Sequence, residues 1–194
     1  MSGEKLGQIE SANTMLLICD IQEVFRYRIE NFDDMVTNCT YLIEVAKILN
    51  IPLMVTEQNP EALGKTINEI TCVLPENTSI QPKESFSMVN EDLIQKIDDG
   101  DIKSVIIAGI ESHICILQTS LELRKKGIDV HIIPEAVSSQ RISDKELAIS
   151  RMVQSNIFIT SFESVVFQLL KTSKHGKFKE IIKIIKKISE DYSN

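Results

Sequence analysis

Apolar runs recur along the chain at residues 14–19, 52–56, 105–108, 128–133 and 157–160, each ending at a polar or turn-forming residue. Runs this short and this continuous predict buried strands of a parallel sheet rather than half-exposed hairpins. A sixth, more polar strand is predicted at 79–83. Between the runs the period changes. From Asn31 or Asp33 to Leu49, the residues Met35, Cys39, Leu42, Ile43, Ala46 and Leu49 fall at spacings of three and four, which makes one apolar helix face. Similar patterns predict helices over 91–98 behind an Asn90 cap, 115–126 before the stop at Gly127, 143–155, 161–170 and 178–189. Residues 61–74 predict a loop with a short helix.

Strands that alternate with helices imply a mostly parallel central sheet with helices on both faces. The expected fold class is therefore α/β: a single-domain, three-layer α/β/α unit of Rossmann-like type. Residues 1–13 are expected as a flexible polar leader and 14–194 as the folded domain. Its last helix, within 176–190, sets Ile181, Ile182, Ile184, Ile185 and Ile188 against Lys183, Lys186 and Lys187. That face is expected to pack on the body or on a partner subunit rather than on a membrane.

The 194 residues carry 21 Lys and Arg against 28 Asp and Glu, a net charge of −7, which argues against nucleic acid as the main partner. No signal peptide is apparent, and no apolar run is long enough to span a membrane. The four cysteines, at 19, 39, 72 and 115, show no CxxC spacing and no paired His. Disulfides and a structural zinc site are not expected, and a cytoplasmic setting is. No GxGxxG or P-loop pattern supports a nucleotide cofactor.

The chemistry concentrates between Ser104 and Gly127. An uncharged strand, a short turn and a helix follow one another, with Cys115 at the helix start. Unpaired N–H groups and the positive dipole end there favour a thiolate and an oxyanion. An inert buried thiol fits the same spacing equally simply. Asp20 follows the first strand, where open α/β sheets place ligands, or it caps the next turn. Lys83 is the one cation of its stretch, a ligand group or a solvated surface Lys. His131 reads as a packed or edge histidine, and Cys39 and Cys72 read as packing residues.

Taken together these pieces resemble the isochorismatase-like (cysteine hydrolase) superfamily. They are Cys19-Asp20-Ile21-Gln22 with Phe25, Lys83 before Ser85-Phe86, Gly109 through Ile116, and Ala136-Val137-Ser138-Ser139. Thr56-Glu57-Gln58, Leu63-Gly64 and Phe178-Lys179-Glu180-Ile181 narrow the resemblance to the isochorismatase domain-containing protein branch. The resemblance implies a triad of Asp20, Lys83 and Cys115. Cys115 would form a thioester, Asp20 would move the proton, and Lys83 would tune both. It also implies a cis peptide at Ile110-Glu111 and an oxyanion hole from the N–H groups of Glu111 and Cys115. Substrate contacts are expected from Gln22, Phe25, Glu57, Gln58, Phe86 and Ser112.

Two departures refine the expectation. Nicotinamidases of this superfamily bind a metal with an Asp and two His after the second strand. Here that place reads Glu57-Gln58-Asn59-Pro60, so no metal and no cofactor are expected. Trp is absent, leaving Phe25 and Phe86 as aromatic walls. The implied activity is hydrolysis of a small molecule, at an amide-like C–N bond, by a homo-oligomer. A catalytically silent binding or scaffold protein of the same fold is the alternative, and nuclease activity is opposed by the acidic charge.

Overall fold

The structure is a computed structural model that describes residues 6–76 and 78–191. Its centre is one six-stranded, wholly parallel sheet in the order β3-β2-β1-β4-β5-β6. The strands are β1 (Thr14–Cys19), β2 (Leu53–Gln58), β3 (Ile80–Lys83), β4 (Ser104–Ile110), β5 (Asp129–Ser138) and β6 (Phe158–Ile159). The helices are α1 (Phe32–Leu49), α2 (Pro60–Leu63), α3 (Asn68–Thr71), α4 (Glu91–Asp99), α5 (Leu117–Lys125), α6 (Ile142–Gln154), α7 (Phe162–Leu170) and α8 (Phe178–Asp191). The expected three-layer α/β/α fold is what is found.

Strand side chains alternate between two cores because successive residues point to opposite faces. Leu16, Ile18, Ile106 and Ala108 pack with α1, α7 and α8. Met15, Leu17, Cys19, Val105 and Ile107 pack with α4, α5 and α6. Both faces of the sheet are thus covered, which is why its strands are uninterruptedly apolar. The apolar face of α8 is satisfied within the chain: Ile181, Ile184, Ile185 and Ile188 are buried in the same core as α1. It is therefore not an open subunit surface.

Three expectations change. Gly109 does not end its strand but lies inside β4, at φ +113°. A Cβ there would sit 2.2 Å from the Cys19 carbonyl oxygen, so only glycine lets β1 and β4 approach so closely. β5 does not end at Ile133, as the apolar run 128–133 predicts, but continues to Ser138. After a shift in register between Ile107 and Gly109, β5 pairs again, Gly109 with Val137 and Ile110 with Ser138. Pro134 lacks an N–H and falls in the interrupted stretch, which is what makes the sequence look like a loop. The leader is packed in part: Ile9 is buried in the core and Glu10 pairs with Lys171 at 2.8 Å, whereas residues 1–5 lie outside the described residues.

Candidate active site

The carboxyl ends of four strands meet at one small cavity of about 140 Å³, lined by Asp20, Phe25, Gln58, Leu63, Phe86, Ile110, Glu111, Ile114 and Cys115. This is where an open α/β sheet leaves a crevice. Asp20 leaves β1 in the left-handed region, φ +54°, and its carboxylate is held from two sides. Thr56 Oγ1 donates to Oδ1 at 2.7 Å, and Lys83 Nζ stands 2.7 Å from Oδ2. The Cys19 thiol adds a longer contact to Oδ2 at 3.4 Å.

Lys83 ends the edge strand β3 and points inward, with only 5% of its side chain exposed. Besides Asp20 its ammonium faces Gln58 Oε1 at 2.7 Å, the carbonyls of Ser85 and Phe86 at 3.1 and 3.0 Å, and Cys115 Sγ at 3.7 Å. Burial pulls its pKa down. The negative groups that Cys19, Asp20 and Cys115 can present outweigh that, so the net shift is upward and Lys83 stays charged. A solvated surface lysine is excluded.

Cys115 lies in a single π-helical turn, Ser112–Ile116, that precedes α5 rather than in the first turn of α5 itself. The turn starts beyond the cis peptide Ile110-Glu111. Cys115 is 6% exposed and opens onto the cavity. Its backbone carbonyl accepts from Thr119 Oγ1 at 2.7 Å, which ties the turn to α5. Lys83 thus contacts both Asp20 and Cys115, residues far apart in the chain.

The substrate contacts divide. Phe25, Gln58 and Phe86 line the cavity as expected. Gln22, Glu57 and Ser112 do not. The Gln22 amide is wholly engaged with backbone: it donates to the Gln58 and Gly64 carbonyls at 3.0 and 2.7 Å and accepts from Gln58 N at 2.9 Å. Glu57 accepts from Thr66 N and Oγ1 at 2.6 and 2.9 Å. Ser112 is fully buried and donates to the Ser138 carbonyl at 3.0 Å. All three hold loops in place.

Leu63, Ile110, Ile114 and Thr56 were not expected at the site. The apolar three look like core residues in sequence. Thr56 had a usable signal: it lies two residues from Gln58 on β2, so both point the same way and Glu57 points the other. His113 is fixed by a side chain, its Nδ1 lying 3.0 Å from Ser139 Oγ. His131 is buried and stacked on Phe158 at 5.1 Å, far from any role at the cavity. Cys72 is exposed rather than packed.

Among the described residues, the one cluster of metal-ligating side chains is Cys19, Asp20 and Cys115, with donor atoms within 4.8 Å of one another. The Lys83 ammonium already lies against that carboxylate, where a metal cation would have to bind. At the end of β2, Glu57 is bound to Thr66 and Pro60 begins α2, so among the described residues no Asp and paired His gather there.

Residues 14–164 match the isochorismatase domain. The chain belongs to the isochorismatase family. Isochorismatase domain-containing protein 2 of Danio rerio is 39% identical over 187 residues, covering 96% of this chain and 93% of that one. Isochorismatase domain-containing protein 2A of Mus musculus is 40% identical over 185 residues, covering 93% and 86%. Among solved structures, the MAR1 ribonuclease of Caenorhabditis elegans is 38% identical, covers 92% of each chain and superposes with a TM-score of 0.89. The family and the domain-containing branch expected from the motifs both agree. The nicotinamidase PncA of Bacillus subtilis, 16% identical with a TM-score of 0.69, shares the fold. No described helix is long and apolar enough to cross a membrane.

Proposed function

We propose that this isochorismatase-family chain is a cysteine hydrolase that cleaves an amide-like C–N bond in a small molecule. The observation that carries this reading is the buried Lys83 ammonium, placed against both the Asp20 carboxylate and the Cys115 thiol, two groups that line the cavity. Asp20 takes the thiol proton as Cys115 Sγ attacks the substrate carbonyl. The N–H groups of Glu111 and Cys115 receive the developing oxyanion. Asp20 returns the proton to the leaving nitrogen, and a thioester remains. A water that loses its proton to Asp20 then releases the acid. The Lys83 ammonium, within reach of both groups, supplies the positive charge that these steps are carried out against.

A cavity of about 140 Å³ walled by Phe25, Leu63, Phe86, Ile110 and Ile114 favours a compact, largely apolar acyl group. It is well below the volume usual for drug-sized ligands. No cation is free at the cavity to greet an anionic substrate, because Lys83 is already committed. The setting is proposed to be cytoplasmic and the protein a homo-oligomer that leaves the apolar face of α8 inside each subunit.

The ribonuclease name of the Caenorhabditis elegans relative supports a second reading, cleavage of RNA. The net charge of −7 and the small apolar cavity oppose it. A panel of small amides and carbamoyl compounds, run beside a labelled RNA with wild type and Cys115→Ala, separates the two. Amide turnover lost in Cys115→Ala supports the hydrolase. Salt-sensitive RNA cleavage without amide turnover overturns it, and turnover of neither leaves the silent binding protein of the same fold as the better reading.

A further inference from the structure

Cys19 has no task in hydrolysis, yet its sulfur lies beside the nucleophile. It is the last residue of β1, entirely buried, and packs on the same face of the sheet as Cys115. Its Sγ, the Cys115 Sγ and an Asp20 oxygen all lie within 4.8 Å of one another, and its thiol donates to Asp20 Oδ2 at 3.4 Å. We propose that Cys19 is a resolving thiol for Cys115, so that a hydroperoxide converts the two into a Cys19–Cys115 disulfide that silences the site reversibly.

The order of events follows from exposure. Cys115 lines the cavity and Cys19 does not, so a peroxide that enters meets Cys115 first. Burial, and then the neighbouring Cys115 sulfur and Asp20 charge, push the Cys19 thiol up, which keeps it protonated and unreactive toward the oxidant itself. The Cys115 thiolate attacks the peroxide O–O bond. Sulfur gains one oxygen as sulfenic acid and is oxidised, and the other oxygen leaves as water or an alcohol after taking from Asp20 the proton that the Cys115 thiol had given up. Cys19 then passes its proton to Asp20, along the hydrogen bond already present, and its sulfur attacks Cys115 Sγ. The S–O bond breaks, and the departing hydroxide takes the proton from Asp20 and leaves as water.

The sulfurs need to approach by at most about 2.8 Å to reach disulfide length. The other cysteines are badly placed for this role. Cys39 lies in the opposite core, donating to the Ala136 carbonyl at 3.3 Å, and Cys72 is exposed on the α3 side. Without Cys19, the sulfenic acid would meet a second peroxide and pass to the irreversible sulfinic acid.

The proposal shares with the hydrolase reading the reactivity of Cys115 and the proton transfer through Asp20, and it is tested without substrate. The folded protein is treated with stoichiometric hydrogen peroxide, blocked with N-ethylmaleimide and digested without reductant. The expected product has lost two hydrogens in intact mass, joins the Cys19 and Cys115 peptides, and reverts with dithiothreitol. In Cys19→Ser, and in Cys19→Ala should the serine variant fold poorly, Cys115 is expected to gain two oxygens irreversibly instead. Wild-type Cys115 gaining two oxygens, pairing with Cys72, or resisting peroxide altogether would each overturn the proposal. Amide turnover bears on the hydrolase reading alone, so the two fail separately.

Discussion

Lys83 Nζ stands 2.7 Å from Asp20 Oδ2 and 3.7 Å from Cys115 Sγ, so one buried ammonium touches both the carboxylate and the thiol. Removing it leaves a buried negative charge without its partner, which costs about 3–5 kcal/mol. Lys83→Met is expected to lower the urea midpoint accordingly. It is also expected to slow iodoacetamide labelling of Cys115 at neutral pH by about tenfold or more, as the thiolate loses its cation. Labelling of the exposed Cys72 in the same sample should not change. An unchanged Cys115 rate would separate Lys83 from the thiol.

Gly109 is expected to tolerate no side chain. Gly109→Ala places a Cβ against the Cys19 carbonyl in a backbone region that L-residues rarely adopt. Because the contact is backbone against backbone, neither strand can give way cheaply. The expected loss is about 3 kcal/mol or more, with Cys115 labelling disturbed through the displaced turn. Thermal unfolding followed by circular dichroism reads the first effect.

His131 is expected to make stability pH-dependent. Burial lowers its pKa from 6.5 to about 4, and among the described residues its Nε2 has no hydrogen-bond partner. Between those values the unfolded chain binds the proton and the folded chain does not. Its contribution is therefore complete above pH 6.5 and is lost as pH falls toward 4, with a total of about 3 kcal/mol. In His131→Phe, chemical denaturation across that window should show a flatter profile.

Gln22 and Phe86 are expected to separate stability from specificity. Gln22→Ala removes three hydrogen bonds at a fully buried amide and leaves backbone groups unpaired, a loss of about 2–4 kcal/mol. Phe86 is 53% exposed, so Phe86→Ala should cost under about 1 kcal/mol. It should instead alter which small amides are turned over. Denaturation midpoints and a KM-against-kcat comparison for the two variants test this contrast.

The strands were legible because a sheet covered on both faces demands continuous apolar runs, and β1 and β4 supply them. The second half of β5 is illegible in sequence because Pro134 and Glu135 interrupt an apolar run that resumes at Ala136. Gly109 reads as a strand end in a single sequence. Its reason for being there is the approach of another strand's backbone, which no local pattern records. At the site, local pattern leaves Asp20, Lys83 and Cys115 each with a plain structural reading, and only the family resemblance joins them, because their contacts depend on strand order. Glu57 and Gln58 cannot both face the cavity, because successive strand residues point to opposite faces. Leu63, Ile110 and Ile114 were invisible because an apolar cavity wall and an apolar core have the same composition.

The sheet order carries a last consequence. Lys83 comes from β3, a four-residue edge strand that pairs only with β2 and contains Pro82, whereas Asp20 follows and Cys115 adjoins the two central strands. The reactive centre is therefore assembled from parts of unequal durability. Fraying at the margin of the sheet would withdraw the cation while the middle stays intact. On heating, the excess of Cys115 labelling over Cys72 that the proposed triad requires should vanish several degrees before the helices melt. Amide hydrogen exchange should be fastest in the strand that delivers the charge and slowest in the two that frame the thiol.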